Sequence, residues 1–273
     1  MKLSFPLTPP VAVITASKKG GTGKTHLMLT VADMLTLNGY PYTVFQADDK
    51  RRLSAMIGSK VIDLRPNPDL IMSEPTLLRT SFTPFYTACR AVSATGKSVL
   101  LDIGADEVEN ASNFLNEVEI DEDLIKWKLP LIVFVLVQPD IDGIGSAVET
   151  IRRFREAVPS AHLVLVENPL GKSLLNLLPP SSVAGQVFKT QLEPLLDGVT
   201  RIVMPAIAPV FWEPFESSAL RFLRVLAMDA EEGSKKLKME VGDVKMARSA
   251  VTVYFRSMHR ALSQLFQLPK GGA

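Results

Sequence analysis

Lys24 and Thr25 close the run Ser17-Lys18-Lys19-Gly20-Gly21-Thr22-Gly23-Lys24-Thr25, whose residue types suit the binding of a phosphate chain. Glycines at 20, 21 and 23 let consecutive backbone N–H groups turn toward one anion with no side chain in the way. The Lys24 ammonium has the reach for β- and γ-phosphates, and the Thr25 hydroxyl is a ligand for Mg²⁺. Carboxylates with matching chemistry occur twice more. Asp102 ends the apolar run of Ser98–Ile103, where it would hold Mg²⁺ directly or through water. Asp48 and Asp49 follow the apolar stretch Tyr42–Ala47.

These residues need elements to position them. Before the loop, the β-branched run from Val11 to Thr15 reads as a strand. After it, Leu27, Val31, Met34 and Leu35 keep helical spacing, which predicts a helix over 26–37 stopped by Asn38-Gly39. A helix start adds free N–H groups and a favourable dipole for an anion. Further strands are expected at Tyr42–Ala47, Ser98–Ile103, Leu131–Val137, 161–167 and 200–204, each ending near a polar residue or a proline. Helices are expected at Arg52–Ile57, from Pro84 to about Val92, from Asp140 to about Ala157, and over 217–228. Residues 66–68 read as a loop, and 170–187 as a loop with a short helix. Cys89 falls on a helix core face, and Arg152, Arg153 and Arg155 on a solvated one. Strands alternating with helices imply a parallel sheet with right-handed crossovers, so the informative residues should lie beyond the carboxyl ends of the strands.

Composition bounds the reading. A chain of 273 residues with 47% hydrophobic content supports one large packed α/β domain. A formal charge of +1 gives no global polyanion signal, so any nucleic-acid contact must come from a local cluster. Arg221 and Arg224 with Lys235, Lys236 and Lys238 form such a cluster in the sequence. The single cysteine excludes an internal disulfide framework and a cysteine-based metal site, which points to a reducing, cytoplasmic setting. The first ten residues are too short and proline-broken for a secretory signal, and no run approaches the ~18 apolar residues of a spanning helix.

The loop Lys19-Gly20-Gly21-Thr22-Gly23-Lys24-Thr25, with its second lysine before the glycine pair, resembles the deviant Walker A motif of the ParA/MinD-type P-loop ATPases of the SIMIBI class. The resemblance extends over about residues 9–230. It implies a doubly wound, mainly parallel sheet with helices on both faces, and Mg²⁺-ATP as the ligand. Lys19, Gly20, Gly21, Thr22, Gly23, Lys24, Thr25 and His26 would surround the phosphates, and Asn168 and Pro205 would face the adenine. Thr25, Asp48 and Asp102 would serve the metal. Lys19, Lys24 and Asp48 are the implied catalytic residues. In this family the early lysine crosses a dimer interface to the partner's nucleotide, and the second acid of an Asp-x-Asp switch orients the attacking water. Here Gln46 replaces the first acid and Asp48 matches the second. Lys18 has no matched role and reads as a surface charge.

The implied activity is a slow, partner-stimulated ATP hydrolase that forms a homodimer on ATP binding and acts in DNA segregation or plasmid maintenance through non-specific DNA contacts. The alternatives are a MinD-like ATPase placed on a membrane or transfer apparatus, and a small-molecule kinase or ligase on the same fold. Iron–sulfur relatives need cluster cysteines, and a lone Cys89 argues against them.

Residues 231–273 depart from a minimal ATPase domain at 1–230. Their start reads as a polar linker. Val244, Ala247, Val251, Phe255, Met258, Leu262, Leu265 and Phe266 then keep helical spacing, with Lys245, Arg248, Arg256 and Arg260 on the polar side. Packing on the same domain or on a dimer partner is the expectation; a membrane-surface helix is the alternative, or one that meets a protein or DNA.

Overall fold

Leu131–Val137 is apolar at every position and buried at every position, which is what a central strand covered on both faces requires. The computed structural model, which describes residues 6–58, 60–74, 76–169 and 174–267, places this strand, β5, next to β1 (Ala12–Ala16) in a seven-stranded sheet. The other strands are β2 (Tyr42–Ala47), β3 (Val61–Asp63), β4 (Ser98–Ile103), β6 (His162–Glu167) and β7 (Thr200–Val203). Their order is β3-β2-β4-β1-β5-β6-β7, and every pairing is parallel. The winding reverses at β1, so the loop after β1 sits at the topological switch point, where such sheets bind ligands. Residues 170–173 of the expected loop, and the ends 1–5 and 268–273, lie outside the described residues.

The helices are α1 (Lys24–Leu37), α2 (Arg52–Ile57), α3 (Pro68–Ile71), α4 (Leu77–Thr80), α5 (Thr83–Arg90), α6 (Val92–Thr95), α7 (Val108–Glu117), α8 (Ile120–Trp127), α9 (Ile141–Ala157), α10 (Val183–Val187), α11 (Pro209–Ser217), α12 (Phe222–Ala227), α13 (Ala230–Leu237) and α14 (Val241–Leu262). Strand alternation sorts them into two layers. Ile14, Leu101, Val133 and Val135 face a core closed by Phe85, Phe114, Ile144 and Phe154, from α5, α7 and α9. Val13, Leu100, Ile132 and Phe134 face the opposite core, closed by α1, α11, α12 and α14 through Leu27, Phe215, Phe222 and Phe255. Cys89 is fully buried in the first core, and burial raises its thiol pKa.

Several elements differ from the expectations. The edge strand β3 and the pair α7 and α8 are additional to the expected elements, and the loop expected at 66–68 holds for Pro66 and Asn67 and ends at Pro68, where α3 begins under the Asn67 side-chain cap. The helix expected over 217–228 forms only as α12 at Phe222–Ala227, after a break at 218–221 that separates it from α11. Ala219 adopts a left-handed backbone, and Arg221 is extended at the start of α12. That break lets the Arg221 guanidinium bind Asp33, which is wholly buried in α1. The polar stretch read as a linker forms α13, because Asp229 caps its first turn by accepting from Glu231 and Glu232 N–H groups. Helix α14 buries Val244, and Ala247, Val251, Tyr254, Phe255, Met258 and Leu262 join the second core, so the apolar face that a membrane-surface helix would need is already covered. Among the described residues, no helix is long and apolar enough to cross a membrane.

Candidate functional site

β1 and β4 pair with Thr15 opposite Asp102, which brings the carboxylate to the mouth of the glycine loop. Thr15 Oγ1 donates to Asp102 Oδ1 at 2.6 Å, and Thr25 Oγ1 donates to Asp102 Oδ2 at 2.8 Å. Both carboxylate oxygens are thereby fixed. Asp102 is fully buried, and that burial raises its pKa against the opposing pull of the two hydroxyls and Lys24. Lys24 folds back across its own loop and donates from Nζ to the Ser17 and Lys19 carbonyls, each at 3.2 Å. Burial lowers its pKa, opposed by the charges of Asp102, Asp48 and Asp106.

The loop is held from the ends of neighbouring strands. Asn168, just beyond β6, donates from Nδ2 to the Thr22 carbonyl at 2.8 Å. Gln138, just beyond β5, donates to the Gly21 carbonyl at 3.1 Å. Gly23 must be glycine twice over. Its φ is +96°, and an added Cβ would lie 2.5 Å from the Met204 methyl and 3.0 Å from Asn168 Nδ2. The backbone N–H groups of Lys24, Thr25 and His26 open α1 immediately after it.

Asp48 reaches the same mouth. Gly104, two residues beyond Asp102, packs so closely that an added Cβ would lie 2.8 Å from the Ala47 carbonyl and 3.2 Å from Asp48 Cα. Asp48 accepts from the Lys50 N–H at 2.8 Å. Its pKa is raised by burial and by the hydrogen bond and charge of Asp49, while the exposed Asp49 is lowered by that same hydrogen bond.

Lys18, two of the arginines and His26 behave differently from the expectation. The Lys18 ammonium is no free surface charge: it pairs with Glu149 at 2.5 Å, in a network where Arg153 binds Glu149 at 3.2 Å and Glu109 at 3.0 Å. Arg155 donates to the Leu195 and Asp197 carbonyls, so of the three arginines only Arg152 is exposed. His26 turns its side chain away from the loop into an aromatic cluster, with ring centroids 4.7 Å from Trp212, 5.7 Å from Phe222 and 6.3 Å from Tyr254. Burial, aided by the Arg52 charge, lowers its pKa to about 4, so the ring is neutral at physiological pH. Lys19 Nζ binds Asp140 Oδ1 at 2.6 Å in its own chain, and the same oxygen caps α9 by accepting from Gly143 N–H at 2.8 Å.

These groups surround a cleft of about 560 Å³. One end is the glycine loop with Asp48, Asp49 and Asp106; the other is lined by Asn168, Met204, Pro205, Ala206 and Ile207, with Trp212 and Tyr254 beside His26. Sequence reasoning missed Gln138, Asp140, Asp106, Trp212 and Tyr254. The rule that ligands sit beyond strand ends could have found the first three; Trp212 and Tyr254 arrive from distant helices and carry no motif. The residues fit Mg²⁺: a hydroxyl and a carboxylate oxygen converge at Thr25 and Asp102, leaving further positions to phosphate and water. Among the described residues no cluster of three His, Cys, Asp or Glu side chains could hold a metal without such help.

No protein-family profile and no curated protein sequence matches this chain. Solved structures share its outline. Apo McdA from Cyanothece is 11% identical, with 87% of this chain and 98% of that chain covered and a TM-score of 0.48. A plasmid partition protein from Borrelia burgdorferi, bound to AMPPNP, is 12% identical, with 88% and 98% covered and a TM-score of 0.47. The MinD cell division protein from Aquifex aeolicus is 14% identical, with 88% and 97% covered and a TM-score of 0.43.

Proposed function

We propose that the chain is a ParA/MinD-type ATPase that binds Mg²⁺-ATP at the loop after β1 and switches between an open monomer and an ATP-bound dimer. The observation that carries the reading is the convergence of Lys24, Thr25 and Asp102 at the switch point of the sheet, with a second lysine, Lys19, at the start of the same loop. Backbone N–H groups from Gly20 to His26 would cradle the phosphates, and Lys24 would leave its two carbonyls for the β- and γ-oxygens. Thr25 and Asp102 would hold Mg²⁺, which neutralises phosphate charge. Asp48, at the cleft mouth, would orient the attacking water. Asn168 and the segment from Pro205 to Ile207 would take the adenine, with the unpaired Asn168 Oδ1 as acceptor for its amino group.

In the closed dimer Lys19 would exchange Asp140 for the partner's phosphates, and hydrolysis, stimulated by a protein partner, would reopen the pair. The output we favour is DNA segregation or plasmid maintenance. Arg224, Lys235, Lys236 and Lys238 remain exposed and support it, while Arg221 is committed to Asp33. Segment 231–273 would act as a cap on the engine rather than a separate module. Isothermal titration tests the core of the reading. Wild type should bind Mg²⁺-ATP, and Lys24→Ala should lose it, because the phosphates lose the cation buried in their loop. Wild-type affinity in Lys24→Ala would overturn the assignment.

A further inference from the structure

Among the described residues, three buried side-chain atoms lack a hydrogen-bond partner: Asn168 Oδ1, Trp212 Nε1 and Arg248 Nε. The first two belong to residues that line the same cleft, and Arg248 does not. A buried donor without an acceptor is costly, and native proteins rarely keep one without a use. Trp212 is 4% exposed, so its indole N–H is shielded from bulk water. Its ring is held firmly. It lies 4.6 Å from Phe222 of α12, centroid to centroid, and Phe222 lies 5.2 Å from Tyr254 of α14.

We infer that Trp212 is a nucleoside-recognition residue, whose indole N–H donates to an acceptor on the ribose or purine of the bound nucleotide. The inference rests on the ATP-binding reading above and adds a contact to it. The phosphates are not the acceptor. Their cations and N–H groups are in the glycine loop, whereas Trp212 stands with the neutral His26 ring and the Met204–Ile207 segment, and the cation on that side, Arg52, is paired with Glu216 at 3.4 Å. Ribose oxygens and purine ring nitrogens are neutral acceptors, and an indole donates only. The unpaired donor of Trp212 and the unpaired acceptor of Asn168 then serve opposite kinds of atoms on one ligand. Because Phe222 packs on the indole and Tyr254 on Phe222, the helices α12 and α14 would set the geometry of this nucleoside contact.

The test uses Trp212→Phe, which keeps an aromatic ring and removes the N–H. Wild type and variant are titrated with Mg²⁺-ATP and with Mg²⁺-tripolyphosphate, which has the phosphates and no nucleoside. The variant should bind ATP about ten-fold more weakly and tripolyphosphate as wild type does. Equal ATP affinity in the two proteins overturns the inference, and so does an equal loss for both ligands. The chain has two tryptophans, so Trp127→Phe leaves Trp212 as the sole indole. Its emission should change with ATP and stay unchanged with tripolyphosphate; an unchanged signal at saturating ATP also overturns it. A wild type that binds no ATP sinks the ATP reading itself, an outcome distinct from a wild type that binds while Trp212→Phe binds as well.

Discussion

Gln46 is buried on β2 directly opposite Asp102 on β4, and its surroundings explain why an amide stands at this position. Its Nε2 donates to the Lys50 carbonyl at 2.9 Å and its Oε1 accepts from the Ser54 N–H at 3.3 Å, so it ties the Asp48 turn to α2. An acid here would add a second buried negative charge beside Asp102 and could not donate to that carbonyl. The pattern Gln-x-Asp therefore keeps the turn folded and presents Asp48 to the cleft. His26 carries a pH signature of its own. Its pKa falls from 6.5 in an open chain to about 4 in the fold. Between those values the unfolded chain takes up a proton that the folded chain refuses, so stability should fall as pH drops through that window and level off below it. With part of the ring facing the cleft, the loss is about 2 kcal/mol. His162 is also lowered by burial and contributes with the same sign. Urea unfolding of wild type and His26→Phe at several pH values checks this: the variant should show a shallower acid loss, and parallel curves would contradict the role given to His26.

At the scale of elements, the sequence was most legible where one signal dominated. The apolar run of β5, the Asn38-Gly39 stop of α1 and the glycine loop each override their context, and the structure has them where expected. The misreadings share a different cause. Ala219 shows no turn signature, yet it breaks a helical pattern because the buried carboxylate of Asp33 needs Arg221 from the other side of the break. The polar run from Ala230 looks like a linker by composition, but Asp229 supplies a cap and α14 a surface to pack on. Tertiary partners that lie far apart in sequence decided both cases. Asp229→Ala should cost about 1 kcal/mol in urea unfolding, as a lost helix cap does. A linker would not register the change. Arg221→Met should cost roughly 3 kcal/mol by stranding Asp33, with DNA affinity unaffected once the protein is folded. An Arg221→Met variant of full stability and reduced DNA binding would return Arg221 to the basic cluster.

For the whole molecule, the two faces of the sheet divide the work. One core, under α5 to α9, braces the strands; the other carries α1, α11, α12 and α14, and α1, α11 and α14 contribute His26, Trp212 and Tyr254 to the cleft wall. Lys19 stands at the margin of this arrangement, paired with Asp140 and 26% exposed. An ordinary phosphate loop needs Lys24 and has no use for such a lysine. A dimer switch needs both: Lys24 for the nucleotide of its own subunit, and Lys19 for the partner's, across an interface whose exclusion of water strengthens the ion pair against its desolvation cost. The most direct measurement is sedimentation velocity on wild type, Lys19→Ala and Asp48→Ala, each with and without Mg²⁺-ATP. Wild type should shift toward dimer with ATP, Asp48→Ala should accumulate dimer because it binds without hydrolysing, and Lys19→Ala should stay monomeric while binding ATP within a few-fold of wild type. A Lys19→Ala protein that dimerises and hydrolyses ATP as wild type does would contradict the switch and move a small-molecule kinase or ligase to the front.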